Sequence, residues 1–315
     1  MGGVLVLGAA LAACASLEGL TTSSAGDAGN TPVDAASEGA SDAGVADADA
    51  ARPTTCAWNA PFATPRVVVT SDGGDGGDDG VAQAQLSPDE LVIYFQVRNG
   101  ANHELYRAAR TSKELPFGAR VPMTELNEPA ANDTNIAVSS DGLLAVFTSD
   151  RLDAGVPDFF VARRTSLVAS FDTPSPITTL GPTPEKSCAF ITKDGNELWF
   201  SVVDGPERKT YLSPITGAGF GKATLRPDVN GWFPILSDDK LTIYYALGLS
   251  SLDNAVRVAH RDGPLEPFRP ASLVNEVNAA GESPSWLSPD QCRLYITTRR
   301  NIDKRPEIFV AERMP

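Results

Sequence analysis

The sequence predicts an all-β protein in which five similar sheets are arranged in a ring. Two observations carry this prediction: a tight turn recurs five times, and a displaced copy of one strand stands before the first repeat. Each turn holds an aspartate between two apolar runs, at Asp89, Asp141, Asp194, Asp239 and Asp290. These aspartates are 52, 53, 45 and 51 residues apart, which is the signature of an internal repeat.

Each repeat carries the pattern of one small antiparallel sheet. An alternating apolar segment follows every turn, as in Leu91–Phe95, and a second one follows a polar loop, as in Glu104–Arg107. A phenylalanine then opens a further extended segment, at Phe117, Phe171, Phe220 and Phe268. Four strands in each repeat are therefore expected.

The fifth copy of this last segment is out of place. None follows the final repeat, whereas Phe62 opens a similar segment before the first repeat. We expect residues 62–70 to pair with the chain around residues 307–313 and so to close the ring. The predicted fold class is an all-β, five-bladed β-propeller closed by an N-terminal strand completing the last blade.

The repeats also resemble those of a known family. The Ser-Pro-Asp turns, together with Thr148–Arg151 followed by Asp158–Val161, are similar to the WD40-like repeats of the TolB-type propellers. The resemblance covers residues 60–313. It implies a propeller scaffold and leaves the function open, because such propellers serve as scaffolds, binders and enzyme accessories.

The N-terminal segment resembles a bacterial lipoprotein signal. An apolar run of ten residues, Val4–Ala13, is too short to cross a bilayer as a helix. Its last three residues, Leu-Ala-Ala, directly precede Cys14. The resemblance implies cleavage before Cys14 and acyl chains on that residue, which then anchors the chain to a membrane. The alternative is an ordinary buried N-terminal segment with a free thiol.

These features divide the chain into three parts. Residues 1–13 are predicted to be the signal peptide, and residues 14–55 the lipid anchor and a disordered acidic Ala/Gly/Ser/Asp tether. This tether has too few large apolar side chains to offset the entropy of ordering. Residues 56–315 form the propeller domain, and the expected location is the cell envelope, at the outer membrane, facing the periplasm or the cell surface.

The charge balance excludes one class of partner. The chain has 40 acidic and 26 basic residues, a net charge of -14 and two histidines. Binding of nucleic acid needs a basic surface, so no nucleic-acid partner is expected. The protein is predicted to be a monomer. A site built from several histidines is excluded as well.

Three cysteines follow the predicted anchor, in a compartment where disulfides persist. Strand order places Cys56 and Cys292 at the same face of the ring, where the N-terminal strand meets the last blade. Cys188 belongs to an inner strand of the third blade. We predict a disulfide between Cys56 and Cys292; the alternative is three buried free thiols.

Recurring charges suggest two interpretations. Arginines after the second strands and acids before the third, Arg98, Arg151 and Arg299 with Glu104, Asp158 and Glu307, are predicted to brace each loop as ion pairs. Acids before the inner strands are candidate binding residues at one mouth of the central channel: Asp79, Asp133, Glu185, Asp228 and Glu282. Such a rim would accept a divalent cation as a cofactor, or a basic segment of a partner. Solvated loop charges are the alternative.

Three functions remain. The first is a non-catalytic, lipid-anchored propeller that binds a protein or glycan partner at the cell envelope. The second is a propeller glycoside hydrolase, which needs paired carboxylates facing the channel. Inner-strand segments such as Ala84–Leu86 and Ile136–Val138 lack acids, which favours the first function. The third is a metal-binding sensor that uses the acidic rim.

Overall fold

The computed structural model describes residues 56–57, 59–70, 80–100, 102–181, 185–204, 207–217, 219–248, 254–279, 281–300 and 305–314. Regular structure in these ranges consists of 21 β-strands and one 3₁₀ turn, Thr178–Leu180. No helix in these ranges is long and apolar enough to span a membrane. The predicted signal peptide, the lipidated Cys14, the tether up to residue 55 and the candidate binding residue Asp79 lie outside the described residues.

The strands form five antiparallel sheets, and each sheet is one blade. From the channel outwards, the first blade consists of β2 (Val81–Leu86), β3 (Val92–Asn99), β4 (Asn102–Ala109) and β5 (Val121–Pro122). The second consists of β6 (Asp133–Val138), β7 (Leu144–Ser149), β8 (Asp158–Arg163) and β9 (Ser175–Pro176).

The other three blades follow the same order, from the innermost strand to the outermost. The third consists of β10 (Lys186–Ile191), β11 (Glu197–Asp204) and β12 (Glu207–Thr216), with the short strands β13 (Gly219–Phe220) and β14 (Thr224–Leu225) both pairing with β12. The fourth consists of β15 (Trp232–Leu236), β16 (Thr242–Leu247), β17 (Ala255–His260) and β18 (Ser272–Leu273). The last consists of β19 (Ser283–Leu287), β20 (Arg293–Thr298), β21 (Glu307–Glu312) and β1 (Arg66–Val69). The predicted five-bladed propeller is confirmed.

The N-terminal strand completes the last blade, as predicted. Strand β1 is antiparallel to β21, with Arg66 opposite Val310, and Phe62 forms a further bridge with Arg313. A disulfide joins Cys56 to Cys292 beside this junction, with the two Cα atoms 5.7 Å apart. The predicted pairing is therefore confirmed, and Cys188 is a buried free thiol.

The recurring turn is held by one set of hydrogen bonds. In the first blade, the Ser87 hydroxyl donates to Asp89 Oδ1 at 2.5 Å, and the amide of Leu91 donates to the same oxygen at 3.0 Å. The same pattern recurs at Ser139 and Asp141, Thr192 and Asp194, Ser237 and Asp239, and Ser288 and Asp290. We call the side of the ring that carries these turns the turn face, and the opposite side the loop face. Strand alternation puts the loops between third and outermost strands on the turn face as well.

The recurring phenylalanines also have a structural cause. In four blades an arginine that follows the third strand lies over this ring, 4.2–4.6 Å from its centroid, in the pairs Arg110–Phe117, Arg164–Phe171, Arg261–Phe268 and Arg313–Phe62. In the third blade Ile215 takes the place of the arginine and lies opposite Phe220. Each pair fastens the loop that leads to the outermost strand.

The inner strands line the channel and are bulged. Their register shifts near the middle, and four non-glycine residues there have positive φ of 52–58°, namely Gln83, Asn135, Cys188 and Phe233. Two of the bulge amides bond to the preceding blade: that of Gln83 donates to Thr297 Oγ1 at 2.8 Å, and that of Asn135 to Gln96 Oε1 at 2.9 Å. The bulges thus link neighbouring blades around the channel.

Apolar packing occurs mainly between neighbouring blades. Phe159 of the second blade meets Phe200 of the third edge-on at 5.3 Å, and Trp199 of the third meets Phe268 of the fourth at 6.3 Å. All four rings are buried. Apolar side chains therefore fill these interfaces between neighbouring blades, so an open groove between two blades is an exception.

Candidate functional site

The central channel is nearly filled by side chains. Two cavities along it have volumes of about 20 and 40 Å³, enough for one or a few water molecules. Phe233 lines the smaller cavity, and Phe190 and Trp286 line the larger one. Asp238 is the acid among the residues lining these two cavities, and it is ion-paired with Lys193. This part of the molecule offers little room for a sugar.

The acids predicted to form a rim instead turn into their own blades. Asp133 is buried and accepts hydrogen bonds from Arg151 at 2.6 Å and from the Glu128 amide at 2.7 Å. Glu282 is buried too, and it accepts from Arg300 and from the Thr298 hydroxyl, both at 3.0 Å.

The remaining members do not complete the rim. Asp228 accepts from Arg226 at 2.8 Å; burial would raise the pKa of this carboxyl, but the hydrogen bond and the charge of Arg226 hold it below the ordinary value. Glu185 is exposed. Within the described residues, no three or more His, Cys, Asp or Glu side chains are grouped so that they could hold a metal ion. The described members therefore do not form the predicted rim, because arginines of the blades already engage three of these carboxylates.

One predicted brace has a different partner. Arg151 pairs with Asp133, at the start of the inner strand, whereas the sequence interpretation paired it with Asp158. Asp158 instead pairs with Lys186 of the next blade at 2.9 Å. An ion pair thus braces this loop of the second blade, but its carboxylate comes from the acids assigned to the rim.

Glu90 is a buried acid that the sequence analysis did not single out. It follows Asp89 in the first turn and reaches the last blade, where Arg293 donates to both of its oxygens, at 2.7 and 2.5 Å. The Tyr295 hydroxyl donates at 3.0 Å and Lys113 at 3.1 Å. Burial would raise the pKa of Glu90, but Arg293 and Lys113 outweigh it and lower that pKa. Glu90 therefore fills the groove between the last and first blades as a carboxylate.

The groove between the first and second blades is open. It forms a cleft of about 600 Å³ at the turn face, within the size range of small-molecule sites. Its walls are mostly aliphatic, with Leu86, Val92 and Val121 on the first blade and Val138 and Leu167 on the second.

The turn position beside this cleft is a glycine. The residue after each turn aspartate has positive φ, and in two blades its side chain reaches across to the preceding blade. Glu90 does so in the first blade, and Lys240 does so in the fourth, where it pairs with Asp194 at 2.7 Å and Glu197 at 3.0 Å. The second blade has Gly142 at this position, with φ of 72°. Gly195 of the third blade is a second glycine at this position, and a Cβ at Gly142 would lie 2.5 Å from Leu167 Cδ2, so position 142 provides no side chain that reaches across this groove.

An arginine lies in this cleft at a position that is aliphatic in the other blades. Arg107 stands between Tyr94 and Val121 in the strand register. The equivalent residues of the other blades are Val161, Leu212, Val258 and Val310. The half-buried Arg107 forms no side-chain hydrogen bond or ion pair with any residue that the structure describes. Sequence reasoning missed it, although alignment of the third strands of the five repeats shows it.

The other charges of the cleft have partners within the fold. Arg164 donates to the carbonyl of Gly142 at 2.6 Å and lies over Phe171 at 4.6 Å. Asp89 and Asp141 each hold their own turn through Oδ1. These residues recur in other blades, whereas Arg107 does not.

Apolar side chains also project from the turn face. The loops between third and outermost strands expose Leu115 (51%), Leu167 (64%), Val168 (97%) and Leu265 (96%). These residues come from three different blades, and Leu167 also lines the cleft. The turn face thus combines a concave cleft with projecting apolar tips.

Comparison with known proteins shows the fold alone. No protein-family model matches the chain, and no curated protein sequence does. Similar solved structures include the catalytic domain of the GH62 α-L-arabinofuranosidase of Coprinopsis cinerea, with a TM-score of 0.55 and 9% identity over 82% of this chain and 98% of that one.

Two further structures extend the comparison. A thermostable family-43 glycoside hydrolase has a TM-score of 0.50 and 13% identity, covering 77% of this chain and 91% of that one. TolB from Acinetobacter baumannii has a TM-score of 0.41 and 17% identity, covering 61% of this chain and 42% of the length of TolB. The predicted likeness to TolB is therefore found among solved structures. At these identities, what this chain shares with its structural neighbours is the β-propeller fold.

Proposed function

We propose that the protein is a non-catalytic, lipid-anchored β-propeller that binds a protein or glycan partner at the cell envelope through its turn face. The observation that carries this proposal is the set of apolar tips exposed on that face. Aliphatic side chains exposed to water gain nothing in an isolated monomer, and the two most exposed large apolar residues of the described ranges, Val168 and Leu265, both lie on this face. A rigid ring whose grooves are mostly filled holds these tips in a fixed arrangement.

Site-specific cross-linking tests the choice of face. A photoreactive amino acid is introduced at Val168, on the turn face, and separately at Leu152, which is 68% exposed on the loop face of the same blade. Irradiation of intact cells should give an adduct of discrete mass from position 168 and none from position 152. Adducts from position 152 alone, or from neither position, would contradict the proposal.

Anchoring is tested separately. Cys14→Ser should move the protein from the membrane fraction to the soluble fraction and abolish labelling by a fatty-acid analogue. Cys188→Ser is the matched control, because it removes a buried thiol that no part of the anchoring mechanism uses. Unchanged membrane association of Cys14→Ser would show that Cys14 is not the anchor.

The hydrolase alternative has its own test, suggested by the fold shared with an arabinofuranosidase. Purified protein is incubated with aryl α-L-arabinofuranosides and other aryl glycosides at high enzyme concentration. We expect no release of the aryl group above the rate with heat-denatured protein. Turnover that is lost on denaturation would overturn the non-catalytic assignment.

A further inference from the structure

We propose that the cleft between the first two blades binds a small amphipathic carboxylate, with Arg107 pairing to the carboxylate and the aliphatic walls holding the apolar body. This site shares Leu167 with the apolar tips that support partner binding, but it concerns a small molecule rather than a protein or glycan.

The first argument is the uncompensated charge. A partly buried guanidinium loses hydration and needs an anion or acceptors in exchange. Two other arginines near blade interfaces pair with carboxylates: Arg293 with Glu90, and Arg151 with Asp133. Arg107 has none within the described residues. Its planar fork of donors matches a carboxylate, which it can bind through two parallel hydrogen bonds.

The second argument is broken symmetry. The position of Arg107 needs an aliphatic side chain for packing, since the other four blades have three valines and one leucine there. The fold therefore does not require an arginine. The equivalent groove between the fourth and last blades has Val258 at this position and a cavity of only about 230 Å³. Charge and space therefore occur together in the groove between the first and second blades.

The third argument is the arrangement of charges along the cleft, which sets the direction of its electrostatic field. The carboxylates of Asp89 and Asp141 lie in the turns after the innermost strands, on the channel side of the cleft. Arg107 lies on the third strand, farther from the channel. An anionic head therefore belongs at the outer end, and the apolar body lies against Leu86, Val92 and Val138. Affinity should grow about fourfold for each methylene added while the walls still cover the chain.

Titration calorimetry with decanoate, below its micellar concentration, tests the site on the purified protein. Wild type should bind decanoate more tightly than octanoate and more tightly than decyltrimethylammonium. Arg107→Val, which installs the residue of three other blades, should weaken decanoate binding at least tenfold. Lys222→Val removes an exposed cation of the third blade and should leave binding unchanged.

A second readout locates the ligand. Methyl NMR should show decanoate shifting the resonances of Val121 and Leu167, which line the cleft, and not those of Leu265 in the fourth blade. If Arg107→Val fails to fold, Arg107→Gln replaces it. Equal affinity of the Arg107 variant, preference for the cationic amphiphile, or no binding of decanoate would each overturn the proposal. Cross-linking at Val168 is unaffected by these outcomes, so the two proposals fail separately.

Discussion

Glu90→Gln is the most informative test of how the ring is held closed. Glu90 is fully buried, and it joins the first blade to the last through Arg293, which is 17% exposed. Glutamine keeps the shape of the side chain, and Gln291 shows that this residue type fits the same turn position at nearly the same φ. The substitution therefore removes charge and one acceptor without changing the packing.

The expected loss follows from the contacts. A glutamine amide accepts from Arg293 through one oxygen only, and its NH₂ group then faces a guanidinium donor. One hydrogen bond to a charged group is lost, and the mostly buried Arg293 loses its closest counterion and keeps only Asp290 at 3.6 Å, so the free energy of unfolding at pH 7 should fall by about 2–4 kcal/mol. Asp262→Asn is the control: it weakens a pair with Arg269 whose side chains are 65% and 75% exposed, and it should cost less than about 1 kcal/mol.

The assay is urea unfolding of wild type and both variants with the disulfide intact, between pH 7 and pH 3. The pKa of Glu90 is lowered from its ordinary value of 4.5, so its contribution to stability is complete above that pH. The contribution is lost as the pH falls through the lowered pKa of the folded state. The gap between wild type and Glu90→Gln should thus be constant down to about pH 5 and narrow below. A loss no larger than that of the control would refute the role assigned to Glu90.

Three further predictions concern the disulfide, the buried thiol and the ion-pair braces. Reducing the disulfide between Cys56 and Cys292, which are 236 residues apart, should lower the thermal midpoint; the chain-entropy model assigns it about 5 kcal/mol. Cys188 should react with a thiol reagent only after unfolding, because burial raises its pKa to about 12, and rapid labelling of the native protein would contradict its placement. Arg151→Met should cost about 3–5 kcal/mol, measured by urea unfolding, because it leaves the Asp133 carboxylate buried and unpaired. Adding Asp133→Asn should restore part of the loss, and no recovery in the double variant would show that the pair is not the cause.

The fold was predictable because each of its determinants repeats. Five turns with the same Ser/Thr and Asp spacing define the blades, and the displaced Phe62 segment shows where the ring closes. Strand alternation then fixes the face on which a residue lies, which was enough to pair Cys56 with Cys292. Such inferences need only the order of the strands.

The charged contacts were harder to predict, because side chains with several possible partners lie at the same face. Arg151 is close in sequence to Asp158, yet it binds Asp133 across the strand pair, and Asp158 binds a lysine of the next blade. Sequence spacing shows on which face of the ring a side chain lies, but it does not show which rotamer the side chain adopts and therefore which partner it reaches. The cleft was missed for another reason: its sequence signal, Arg107, is an exception to the repeat, whereas a repeat pattern shows what the copies share.

The position of the disulfide also decides how the ring responds to a pull on its N-terminal side. Tension applied to the chain before Cys56 passes through the sulfur atoms to Cys292, at the start of β20, a strand paired on both sides. Strand β1 has only four residues and an irregular register. Because it follows Cys56 in the chain, it carries none of this tension. In the oxidised protein the closing strand cannot be peeled away by force from that end, whereas reduction transfers the whole tension to it.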